Sequence, residues 1–411
     1  KIEAMKALFY IFIFVLTVSS VSGQEGNNIR FKGFVDTYHS AKIESPNDLI
    51  SSRSRLRVEL DKINGNSYFF VSLNAVHNNV LPEFTGIQFR EAYLEYTEES
   101  WGFKAGRQII VWGKADGLRI TDVISPMDLT EFLAQDYDDI RMPVNGIVLS
   151  KFSTNWNLDL ICIPIMEGYI LPGADNPWGT DYASLGIVED EAQKPKLNLS
   201  NMEYGGKLSF YLSGIDFDLS ALHTFNKAPV YSFNLDSTNL LHMTPEYNRV
   251  GFVGLGFAKS LNAFVLRGEG ASYFDKNFTP DMTNYTEGIQ KSNSINYLLG
   301  LDWYPGGDWT FTGQFSDEYI MDYSKNIALN QHNYISTIGI SKKILQSTVT
   351  LSTFAYIGLN DGYFYNRSSI DYSISDNIHV MTGYDWFYGD KGLFGQYKDN
   401  TQVWVKAKYS F

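Results

Sequence analysis

Apolar and polar side chains alternate with a period of two along most of this chain. In the last eleven residues, TQVWVKAKYSF, the side chains of Val403, Val405, Ala407, Tyr409 and Phe411 are apolar, while Gln402, Trp404, Lys406, Lys408 and Ser410 lie between them. Successive side chains of an extended strand point to opposite faces, so this spacing predicts a strand with one apolar and one mostly polar face. IDFDLSALHTF (215–225) sets Ile215, Phe217, Leu219 and Ala221 against Asp216, Asp218 and Ser220. WTFTGQFSDE (309–318) sets Trp309, Phe311 and Phe315 against Thr310, Thr312, Gln314 and Ser316. Segments of about ten residues with this rhythm recur from residue 29 to the last residue, as in strands that meet lipid on one face and water on the other.

The connections between segments alternate in length. Short turns fall at 64–67, 98–100, 153–155, 213–214, 259–262, 304–308, 342–346 and 375–377. Longer polar stretches fall at 41–50, 76–85, 109–142, 166–198, 226–246, 275–292, 320–331, 358–366 and 389–400. Short periplasmic turns alternating with long outer loops predict an all-β fold, a transmembrane antiparallel β-barrel of about 18 strands. The pair around 366–374 and 378–388 carries the weakest alternation, and without it the count is sixteen. An even number puts both ends on one side and lets 401–411 close against 29–39, which removes the open edges that hydrocarbon would leave unpaired. Phe411 then stands in the aromatic girdle at the periplasmic border.

Composition agrees with this reading. Aromatic residues make up 15% of the chain, Gly is plentiful at 34 and Pro scarce at 12. No uninterrupted apolar stretch after residue 23 is long enough for a spanning helix. Residues 1–23 carry Lys1 and Lys6, an apolar run from Ala7 to Val18, and small residues before Gly23, the layout of a cleaved secretory signal peptide. The run is too short for a spanning anchor, and no Cys near the cleavage point suggests a lipoprotein. Residues 24–411 are read as one domain, exported to the outer membrane of a Gram-negative bacterium. A first strand starting near Ile29 leaves no room for an N-terminal plug, so gating falls to the protein's own loops. The net charge of -13 argues against nucleic acid as a partner. The single Cys162 cannot form an internal disulfide.

The third long connection stands apart. In VWGKADGLRITDVISPMDLTEFLAQDYDDIRMP (111–143), Ser125 and Pro126 form a helix start, with Asp128 and Glu131 in the early turns. The spacing predicts a short helix from about Pro126 to Ala134 that packs through Met127, Leu129, Phe132 and Leu133. FREAYLEY (89–96), GRQIIVWGKADGLRITDVISPMDL (106–129) and DDIRMP (138–143) resemble the outer-membrane family DUF1302, most strongly over residues 86–151. The connection also resembles the loop of porins that folds into the lumen and narrows the channel. That resemblance implies a channel-type barrel with this connection inside it.

The same stretch supplies the charges of a constriction. Arg107, Lys114, Arg119 and Arg141 are set against Asp116, Asp122, Asp128, Glu131, Asp136, Asp138 and Asp139. In SSRSRLRVEL (51–60), Arg53, Arg55, Arg57 and Glu59 share one face, and Leu56, Val58 and Leu60 the other. Each arginine turned to lipid near the midplane would cost roughly 2 to 4 kcal/mol, so the ladder must line the lumen. Opposed basic wall and acidic loop would select solutes by charge, or would only neutralise one another and pin the loop. Parity places Arg107 with Trp101 and Phe103, so either a bulge near Gly106 reverses its facing or the strand ends before it.

Other chemistry is sparse. The six His residues, 39, 77, 223, 242, 332 and 379, are scattered, and neither GxSxG nor HExxH accompanies them. No enzyme activity, cofactor or metal is expected. Two functional readings stand: a passive channel for a small-molecule solute the residues do not name, and an accessory or surface-binding barrel with a blocked lumen. Expected partners are outer-membrane lipid, lipopolysaccharide and the barrel-assembly machinery, which recognises C-terminal endings that this one resembles, here Tyr409 and Phe411. Many porins are trimers, and nothing in the sequence marks a subunit interface, so a homo-oligomer stays open.

Overall fold

A computed structural model describes residues 29–115, 117–134, 136–137, 139–283 and 288–411. The expectations for the signal segment at 1–23 and for Asp116 and Asp138 lie outside the described residues. The strands, in chain order, are β1 (Arg30–Lys42), β2 (Leu49–Asn64), β3 (Ser67–Asn78), β4 (Gly86–Thr97), β5 (Trp101–Gln108), β6 (Val144–Phe152), β7 (Trp156–Ile163), β8 (Ile187–Glu189), β9 (Glu203–Leu212), β10 (Ile215–Phe225) and β11 (Val230–Leu235). They continue as β12 (Leu241–Glu246), β13 (Arg249–Leu261), β14 (Phe264–Phe278), β15 (Gln290–Gly306), β16 (Trp309–Ile320), β17 (His332–Ile344), β18 (Val349–Gly358), β19 (Tyr363–Ser375), β20 (Ile378–Tyr388) and β21 (Gln402–Ser410).

Eighteen of these form one antiparallel sheet, and β8, β11 and β12 form a separate sheet of three. The large sheet closes because β1 pairs with both β2 and β21. At the seam, Phe34 stands opposite Ser410 and Lys42 opposite Gln402. Gly33 N donates to Phe411 O at 2.9 Å and Phe411 N donates to Gly33 O at 3.0 Å. The Phe31 and Phe411 rings stack with centroids 5.5 Å apart, so the last residue is bonded and packed rather than frayed. The weakly alternating pair is formed as β19 and β20, which gives eighteen barrel strands rather than sixteen.

The two faces divide as the alternation requires. On β10, Asp218 and Ser220 are 3% and 5% exposed while Leu219 between them is 49% exposed. On β21, Gln402, Trp404 and Lys406 are buried while Val403 and Val405 are exposed. Exposed apolar side chains facing out and buried polar side chains facing in are the inverse of a soluble barrel, and match a barrel in lipid.

All seventeen connections fall where the sequence places them, with two changes of detail. The stretch expected at 358–366 shrinks to 359–362, because Tyr363 already pairs with β18 and Tyr365 with both β18 and β20. The stretch at 226–246 contains β11 and β12, which pair with each other while β12 runs parallel to β8.

The helix expected at 126–134 does not form. Ser125 Oγ accepts from Ile110 N at 2.9 Å instead of capping the residues after it. Asp128 N donates to Ile140 O and Met142 N to Pro126 O, each at 2.8 Å, so the start of the segment is extended. Asp128 Oδ1 also accepts from Thr130 N at 3.0 Å, a local bond that competes with helix. Two tight turns follow, from Phe132 N to Leu129 O and from Ala134 N to Glu131 O, and Phe132 has φ 34°. Among the described residues the one α-helical turn is Gly392–Gly395.

Candidate functional site

Strand β2 carries the centre of the site. Arg53, Arg55 and Arg57 alternate with Ser54 and Leu56, and all three guanidiniums are buried. Arg53 Nη1 meets Glu131 Oε2 at 2.7 Å. Arg55 meets Asp36 of β1 at 2.6 Å and Asp139 at 3.0 Å. Arg57 donates to Asp139 at 2.7 Å and to Asn74 Oδ1 at 2.9 Å. Buried charges persist only where paired, and each of these arginines has at least one carboxylate. Glu59, on the same face, stays outside the cluster and faces Lys32 at 3.5 Å.

A fourth arginine joins through a bulge. Ser72 pairs with Glu91 and Leu73 with Phe89, so Arg90 is the extra residue on β4. Its guanidinium donates to Asp139 O at 3.0 Å and stands 3.5 Å from Asp139 Oδ1. Asp139 is thus shared by Arg55, Arg57 and Arg90. Burial alone would push its carboxyl up; the three guanidiniums outweigh burial and hold it well below the usual carboxylate range. A cavity of about 270 Å³ lies here, lined by Arg53, Arg55, Arg90, Glu131, Asp139 and Arg141.

The rest of segment 109–143 is bonded to strands around the ring. Asp122 receives Arg141 at 2.9 Å and lies 3.5 Å from Arg119. Glu269 of β14 accepts from Lys114 N, from Ala115 N at 2.7 Å, and from Thr121 N and Oγ1 at 2.9 and 2.8 Å. Lys114 Nζ reaches Asp218 of β10 at 2.7 Å. Lys406 of β21 holds Asp136 at 2.8 Å. Burial opposes ionisation of Asp136, but the ammonium wins and its carboxyl is lowered. Tyr356 of β18 donates to Gly117 O at 2.8 Å, and Arg367 of β19 donates to Leu133 O at 3.0 Å.

Apolar packing follows the same path. Ile110, Trp112, Ile120 and Ile124 lie in one core with Val144, Ile161, Leu222, Phe252 and Leu298. Phe132 packs against Trp178, Phe394 and Tyr397, with ring centroids 5.3, 5.7 and 5.3 Å away.

Of the constriction residues read from sequence, Arg53, Arg55, Arg57, Glu131 and Asp139 come together, and Arg119, Asp122 and Arg141 form a second group. Asp128 engages Thr130. Lys114 and Asp136 reach other walls. Arg107 stands apart, paired with Glu167 at 3.0 Å. Its ladders with β4 and β6 keep register through Gly106, which takes φ 133°. The strand also runs on to Gln108, so neither the expected bulge nor an early end occurs; the bulge lies on β4 at Arg90. Tyr409 and Phe411 lie at the seam, with rings 6.2 Å apart.

Sequence reasoning missed Asp36, Asp218, Glu269, Arg367 and Lys406. Each is a charged residue inside a recognisable strand, so its parity was the available signal. Arg90 gave none, because an unseen bulge changes its facing. Among the described residues no group of three or more His, Cys, Asp or Glu is placed to hold a metal ion.

Among solved structures the chain is similar to a triple mutant of the Rhodopseudomonas blastica porin, at 13% identity over 93% of this chain and 100% of that one, TM-score 0.46. It is similar to a loop L8 deletion mutant of OmpT, an outer membrane protein of Vibrio cholerae, at 8% identity over 94% and 100% of the two chains, TM-score 0.46. No curated protein matches. The model of one family matches residues 26–411, and this closed 18-stranded barrel therefore belongs to the family described as Protein of unknown function (DUF1302).

Proposed function

We propose that the protein is a passive, non-enzymatic channel for small solutes in the outer membrane of a Gram-negative bacterium, with segment 109–143 folded into the lumen as its constriction. The observation that carries this reading is the spread of the segment's anchors. Inward-facing side chains of β2, β10, β14, β18, β19 and β21 all bond to this one stretch. A segment reaching so many staves must cross the space they enclose. Arginines on the wall against carboxylates on the segment would set a field across the remaining aperture and sort solutes by charge and dipole.

A second reading, an accessory or surface-binding barrel with a blocked lumen, draws on the aromatic packing. Trp178, Phe394 and Tyr397, from two other connections, close around Phe132, Tyr365 and Phe387. Planar-bilayer recording separates the two. The channel reading expects ion current whose cation-over-anion preference rises when Arg53, Arg55 and Arg57 are changed to Gln. A silent bilayer with verified insertion would instead support the blocked barrel.

A further inference from the structure

The outward face of β16–β20 carries a groove of about 780 Å³ that has no part in the charged site. Its walls are Trp309, Ile340, Leu351, Ile370 and Tyr384. Trp309, Leu351, Ile370 and Tyr384 are exposed at 41%, 39%, 47% and 38%, as expected of side chains turned to lipid. The floor is made of small hydroxyl residues, Thr353, Ser368 and Thr382. Ile340 stands opposite Thr353, Thr353 opposite Ser368, and Ser368 opposite Tyr384, so the low floor runs between tall walls across neighbouring strands.

These hydroxyls need nothing from outside. Thr353 and Ser368 bond each other at 3.0 Å, and Asn366 bonds Thr353 at 2.8 Å and Ser368 at 2.9 Å. Thr382 Oγ1 donates to Trp404 O at 2.9 Å. A partner with hydrogen-bonding side chains would find nothing unsatisfied here, whereas an apolar chain loses nothing by covering groups already paired. At one end stands a cation. Lys342 lies in the row that runs from Leu351 to Ile370 to Thr382, three residues before the short turn after β17. Its Nζ donates to Gly307 O and lies 5.2 Å from the Trp309 ring centroid, and no carboxylate among the described residues pairs with it.

The distance fits as well. From β17 to β20 is three inter-strand steps, about 14 Å measured across the strands, a length that one acyl chain can lie along. We infer that this groove is a phospholipid site of the periplasmic leaflet, with the phosphate at Lys342 and Trp309 and one acyl chain lying over Thr353, Ser368 and Thr382 toward Tyr384. The inference rests on the barrel facing lipid and not on whether its lumen conducts.

The test is native mass spectrometry of the intact protein in mild detergent, titrated with palmitoyl-oleoyl phosphatidylglycerol. The wild type should retain one lipid through activation that strips the rest. Ser368→Trp, which fills the floor, should lower that retention by about tenfold, and Lys342→Ala should weaken it in the same direction. Leu255→Trp, on the exposed face of β13, should leave retention unchanged. Thr382→Trp serves if Ser368→Trp does not give heat-modifiable, folded barrel. Equal retention by the wild type and the filled variants overturns the inference. So does a wild-type oligomer that Ser368→Trp separates, which would assign the groove to a second copy.

Discussion

Arg57 donates through Nη1 to the Asp139 carboxylate at 2.7 Å, joining two residues 82 positions apart. The same carboxylate serves Arg55 and Arg90. Asp139→Ala would leave three guanidiniums facing one another in a buried site. Removing one partner of a buried charge cluster costs about 3 to 5 kcal/mol, so we expect segment 109–143 to come free of β2. Two readouts follow: faster proteolysis within 109–143 and, on the proposed channel function, a larger and noisier single-channel current.

The contact should resist mild acid. A carboxylate held low contributes stability that is fully present above its unfolded value, about 3.9, and lost as pH falls through its lower folded value. Asp139 is such a group, because its three guanidiniums outweigh burial. Proteolytic protection of 109–143 should therefore be the same at about pH 7 and about pH 4.5, and fall only in stronger acid. Protection that fades between those two values would contradict the Asp139 assignment.

The three-stranded sheet outside the barrel should respond in the opposite direction. His242 Nδ1 meets Asp190 Oδ1 at 2.9 Å, and that hydrogen bond raises the imidazole above its ordinary value. A raised group contributes stability that is complete below its unfolded value, about 6.5, and lost as pH rises through the folded one. Amide protection factors over Leu241–Glu246 should be higher at about pH 6 than at about pH 8.5. His242→Gln should remove that difference.

Gly106 is the position on β5 where a side chain has no room. A Cβ there would lie 2.3 Å from Ala92 O and 2.7 Å from Tyr93 Cα, on a backbone with φ 133° that L residues rarely adopt. Gly106→Ala should lower the yield of heat-modifiable barrel sharply. Gly313→Ala, where nothing lies within 4 Å, is the control and should assemble normally. Equal yields would show that β5 rearranges freely around Gly106.

What the sequence by itself determined is the barrel: eighteen strands, their order, and the seam between Arg30–Lys42 and Gln402–Ser410. That was legible because alternation and loop length are local, and each strand must satisfy lipid and interior along its own length. The face of Arg53, Arg55 and Arg57 was legible for the same reason. Only the tertiary structure decided what each charge meets. Closure brings Lys406 to Asp136 and Glu269 to the amides of Lys114, Ala115 and Thr121, pairs separated by more than a hundred positions. Residues 126–134 start like a helix, but the Ser125 hydroxyl is taken by Ile110 N, and Asp128 N and Leu129 N donate to Ile140 O and Ile170 O instead of within a helix. The bulge at Arg90 depends on β3 pairing with β4, so no pattern within either strand alone could show which way that arginine turns.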